Sequence, residues 1–126
     1  MIEQLVGRVF ATRNAAHLAH FATKSYAQHV ALGEFYAAVI DQIDEVVEVF
    51  QGRGGLIDSV SVPNNVSPSN IIQHLVTEAD WIETHKAEIC ERCDTVGNLI
   101  DELAAIYRRT IYKLSLIHIS EPTRPY

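Results

Sequence analysis

One run of sequence limits what this chain can become. From Tyr26 to about Gln51, apolar side chains recur at helical spacing with no breaker: Val30, Leu32, Phe35, Tyr36, Val39, Ile40, Ile43, Val46, Val47 and Phe50. Gly52-Arg53-Gly54-Gly55 then stops the run, and Ser25 is placed to cap its start. The flanking sequence supplies partners for such a helix. Residues 2–23 carry Ile2, Leu5, Val6, Val9, Phe10, Leu18 and Phe21 among many alanines. Over 56–67, Pro63 and Asn64-Asn65 argue for a connecting crossover with at most one helical turn. Ser67-Pro68-Ser69 opens a third helix running to about Arg92. Asp94 caps a fourth, which carries Val96, Leu99, Ile100, Leu103, Ile106, Tyr107 and Ile111. Two helices, a longer link and two more helices predict an all-α, ferritin-like four-helix bundle of two helical hairpins. At 126 residues there is room for one core and one domain.

Chemistry concentrates between His17 and Glu48. His17 and His20 lie just before the break at Thr23-Lys24-Ser25, and His29 just after it. An antiparallel hairpin therefore brings the three imidazoles to one level. Asp44 and Glu48, four residues apart, project from one helical face about 6 Å from each other. They stand about 22 Å beyond His29 along the same helix, so one ion cannot meet both groups in a single chain. A two-fold antiparallel dimer resolves the separation, because it lays the histidine end of one chain on the carboxylate end of its partner. Mixed imidazole and carboxylate ligands suit iron(II) and, less selectively, zinc, manganese or cobalt.

These residues resemble the Dps family of ferritin-like proteins (DNA protection during starvation). His17, His29, Asp44 and Glu48 reproduce that family's spacing of twelve, fifteen and four residues. The resemblance rests mainly on residues 14–55. It implies a ferroxidase centre built from histidines of one subunit and the Asp-x-x-x-Glu pair of the two-fold partner. It also implies oxidation of iron(II) by peroxide or dioxygen, iron storage in a hollow twelve-subunit shell, and protection from oxidative stress in the cytoplasm. Two departures matter. The family's first histidine is usually followed by an aromatic residue, which here is His20-Phe21 rather than His17-Leu18, so His17 and His20 both stand as candidates. Gly33 occupies a position where the family commonly has Asp, which favours one iron per site over two. The paired Glu-x-x-His motifs of the bacterioferritin branch are absent. The competing reading is a non-catalytic helical-bundle dimer, an interaction or structural module of the short kind that phages carry.

The remaining features are blander. A formal charge of −6 and the lack of a basic arm argue against DNA binding. No apolar run reaches the roughly 18–20 residues of a membrane span, and no secretion leader is visible. Cys90 and Cys93 form a lone CxxC, read as two reduced thiols near a helix end. His74 and His85 read as surface residues, and Trp81, Phe35, Tyr36 and Phe50 as core. Residues 114–124 resemble the conceptual translation of a sequencing adaptor. The expected bundle is therefore residues 1–113, followed by a non-native tail at 114–126, with His118 discounted as a ligand.

Overall fold

A computed structural model describes residues 1–64 and 69–120, with the backbone alone for 118–120. Four helices form: α1 Ile2–Ala22, α2 Tyr26–Gly54, α3 Ile71–Cys90 and α4 Asp94–Ser120. Ser25 caps α2 as its sequence predicts, its hydroxyl accepting the Gln28 N–H at 3.2 Å. Gly55, at φ 100°, ends α2 in a conformation that L side chains resist. α3 starts later than expected, with Asn70 in the left-handed region at its N-cap. Pro68, read as a first-turn residue, lies outside the described residues. Asp94 is the first residue of α4 rather than its cap. The capping position belongs to Cys93, whose carbonyl accepts the Gly97 N–H and whose sulfur accepts the Val96 N–H.

Cross-helix pairs give the topology. Thr12 meets His74 and Arg8 meets Glu78, so α1 and α3 are antiparallel. Gln42 Nε2 donates to the Leu99 carbonyl and Lys113 pairs with Glu34, so α2 and α4 are antiparallel too. The two hairpins α1–α2 and α3–α4 therefore lie side by side with α2 and α3 running the same way. That direction requires the long crossover at residues 55–70, the connectivity of a ferritin-like bundle. Leu5, Val9, Leu32, Phe35, Ile43, Leu75, Ile82, Ile100, Leu103 and Tyr107 fill the centre with almost no exposure.

The crossover is fastened onto α1. Glu3 accepts the Asp58 N–H at 2.9 Å, and Gly7 lets the Ser61 carbonyl approach the helix. A Cβ at position 7 would collide with that oxygen. Gly7→Ala gains helix propensity of about 1 kcal/mol yet must push backbone away. We expect a net loss of about 1–2 kcal/mol in urea unfolding, with faster proteolysis in the crossover. A stabilised variant with an intact crossover would contradict the packing.

α4 does not stop at Lys113. It continues through the adaptor-like stretch to Ser120, and Leu114 is buried against the core. The helical pattern runs on because no breaker occurs before Pro122. Residues 121–126 and the His118 side chain lie outside the described residues.

Candidate metal centre at the α1–α2 turn

Closing the first hairpin gathers the three histidines. His20 and His29 stack at 3.6 Å between ring centroids, 17° from parallel. Their hydrogen bonds are reciprocal: His20 Nδ1 to the His29 carbonyl at 2.6 Å, His29 Nδ1 to the His20 carbonyl at 2.7 Å. A carbonyl oxygen only accepts, so both Nδ1 atoms carry hydrogen, which leaves Nε2 as the nitrogen that holds the lone pair in the neutral tautomer. That is the tautomer a metal ligand takes when its other nitrogen is held by a backbone carbonyl. Gly33 makes the arrangement possible, since a Cβ there would stand 3.1 Å from His20 Cε1 and 3.3 Å from Nδ1. A side chain at position 33 would press on the His20 ring.

His17 takes a different partner. Its half-buried ring lies flat on Tyr36 at 4.0 Å and 14°, with Phe21 at 4.9 Å. Tyr36, read as core, is half-buried and belongs to this cluster, with the Arg13 guanidinium 5.4 Å from its ring. Lost solvation pushes the His17 pKa down, and the positive charge of Arg13 pushes the same way.

Asp44 and Glu48 are exposed on α2. Asp44 sits about 60° around the helix from His29 and about 22 Å along it, on the same side of the bundle. Among the described residues, no group of three or more His, Cys, Asp or Glu within the single chain could hold a metal ion. The chain brings His17, His20 and His29 together and leaves the carboxylates apart from them. Around the histidines the surface is apolar where the helical pattern suggests core: Phe10 and Phe21 of α1 are 39% and 66% exposed.

A second polar cluster escaped the sequence reading. His74 is half-buried, its Nε2 2.9 Å from Thr12 Oγ1, and the Tyr107 hydroxyl lies close enough to Thr12 to feel its hydroxyl dipole. Arg8 Nε lies 3.4 Å from Glu78 Oε1, and its guanidinium sits 4.4 Å above the Trp81 ring. Trp81 and His85 stack in turn at 4.3 Å. Neither histidine is the free surface residue expected. Thr12, on the apolar side of the first helix with Leu5, Val9 and Ala16, was the readable signal.

This cluster sets an acid limit. Burial lowers the His74 pKa below 6.5, and the Arg8 charge adds to it. The unfolded chain thus takes up a proton that the fold refuses. Stability is full above pH 6.5 and is lost as pH falls through the lowered folded value. Burial raises the Glu78 pKa, with Arg8 partly offsetting it. Its contribution has the opposite sign: fully present below 4.5, lost as pH rises through the folded value. Urea midpoints should therefore fall as pH drops from 7 toward about 5. His74→Gln should flatten most of that slope, leaving the share of His17. An unchanged slope would contradict the assignment.

Among the described residues, no helix is long and apolar enough to cross a membrane. No solved structure matches the chain. The chain is 27% identical over 115 residues to an uncharacterised 14.6 kDa protein from the mobD–ri intergenic region of enterobacteria phage T4, covering 90% of this chain and 88% of that protein. A model described as a family of unknown function (DUF5856) matches residues 20–114, three of the four helices and the last turn of α1. The chain belongs to that family.

Proposed function

We propose that the protein is a Dps-like miniferritin that binds and oxidises iron(II) at sites shared between two subunits. The observation that carries the reading is the tautomer lock at the turn. His20 and His29 have given their Nδ1 hydrogens to backbone carbonyls, so the free Nε2 lone pairs belong to residues whose rings are already fixed. His17 lies beside them, its ring centroid 6.1 Å from that of His20. Asp44 and Glu48 of the two-fold partner complete the site, and the exposed Phe10 and Phe21 supply apolar contact between subunits. The carboxylates favour iron(III) over iron(II), and peroxide or dioxygen accepts the electron released. With Gly33 occupied by the His20 ring, one iron per site is the expected stoichiometry. A closed shell of twelve subunits would store the product. Zinc and manganese are competing occupants.

A second reading has its own support. The same reciprocal bonds close the α1–α2 turn without any metal, so His20 and His29 serve equally as a latch in a structural or interaction module. Anaerobic iron(II) titration separates the two when run beside light scattering. Saturable binding near one iron per chain in a dimer or larger assembly supports the first reading. A dimer that binds no iron above background supports the second.

A further inference from the structure

The α3–α4 turn joins the two cysteines. Cys90 is the last residue of α3 and Cys93 immediately precedes α4. The Cys93 N–H donates to the Cys90 carbonyl at 2.8 Å, closing a four-residue turn. Its central residues, Glu91 and Arg92, are both left-handed, with φ of 47° and 68°. Such a turn keeps its end Cα atoms within about 7 Å, overlapping the roughly 4.4–6.8 Å that a disulfide spans. Both thiols are free and partly exposed. They line one cleft of about 280 Å³ with Phe50, Arg53 and Val96. The sulfurs also rest on the same turn of α4: Cys93 Sγ is 3.5 Å from the Val96 nitrogen, and Cys90 Sγ is 3.6 Å from where a Gly97 Cβ would stand. Lys86 Cε is 3.3 Å from that same point, and Arg53 lines the cleft.

We propose that Cys90 and Cys93 are a redox-active dithiol, oxidised to an intramolecular disulfide by small disulfides such as oxidised glutathione. One cysteine thiolate attacks the glutathione disulfide, forming a mixed disulfide and releasing one glutathione. The second thiolate attacks the protein sulfur of that bond and expels the other glutathione. The two cysteines lose two protons and two electrons in all; the oxidant's S–S bond breaks and two glutathione thiols form. The backbone turn already holds the two Cα atoms within range, the side chains turn from the Ala87 carbonyl and the Val96 N–H to join, and the closed ring ties the end of α3 to the start of α4. This site is independent of the histidine cluster and of the function proposed for it.

Intact-mass spectrometry after incubation with oxidised glutathione and maleimide quenching tests the proposal on the full chain. The expected product has lost two hydrogens, takes up no maleimide and carries no glutathione. Cys90→Ser and Cys93→Ser should instead each hold one glutathione, because the resolving thiol is gone. Wild-type protein that keeps both maleimide-reactive thiols, stops at the mixed disulfide or forms disulfide-linked dimers would overturn it.

Discussion

Replacing both Asp44 and Glu48 by Ala is expected to abolish saturable iron(II) binding and peroxide-driven ferric formation while leaving helicity and thermal unfolding nearly unchanged. Both side chains are exposed on α2, and surface substitutions away from buried features cost about 0.5 kcal/mol or less. Stability therefore gives the substitution no route to lost activity. If the two carboxylates are ligands, their removal leaves imidazoles alone, which hold iron(III) poorly. Near-ultraviolet absorbance after peroxide addition to the iron-loaded protein reads the outcome. Unchanged oxidation in the double variant would remove the carboxylates from the site and the family resemblance with them.

The same titration on a His29→Ala variant separates ligand from latch. Losing His29 removes the donor to the His20 carbonyl and the stacking partner of His20. A hydrogen bond of this kind contributes about 1 kcal/mol. If the histidines ligate, iron binding falls in both variants but stability falls only in this one. If they only close the turn, stability alone responds.

The fold was readable because its signals are local. Ser25 and the Gly52–Gly55 stretch bracket α2 within a few residues, and the breakers around Pro63 mark the crossover that parallel α2 and α3 require. Helix ends were less readable where tertiary contact decides them. α4 passes Lys113 because Leu114 finds the core, and Cys93 caps it because the tight turn leaves its sulfur over the first free N–H groups. At the site, proximity of the three histidines followed from the hairpin alone. The role of Gly33 did not, since it depends on a register that sets His20 directly across from it. The Arg8–Glu78 and Thr12–His74 pairs join residues more than sixty positions apart. No spacing rule within one helix reaches that far.

Tyr107→Ala should be the most destabilising single change in the bundle. The residue is 1% exposed, meets Phe35 edge-on at 5.1 Å and 84°, and has its hydroxyl near Thr12. Truncating a buried aromatic costs about 3–5 kcal/mol, a large share of the roughly 5–15 kcal/mol that holds a domain of this size. Tyr107→Phe keeps the ring and loses only the polar contact of the hydroxyl with Thr12, for about 1 kcal/mol or less. Urea unfolding of both variants separates packing from polar contact. Because Thr12 also meets His74, the Phe variant should alter the acid slope set by His74 more than the midpoint at pH 7. If Tyr107→Phe instead costs as much as Tyr107→Ala, the polar chain Tyr107–Thr12–His74 rather than the aromatic contact holds α1, α3 and α4 together. The bundle's seam would then be a hydrogen-bonded one, and its sensitivity to acid a property of the whole core.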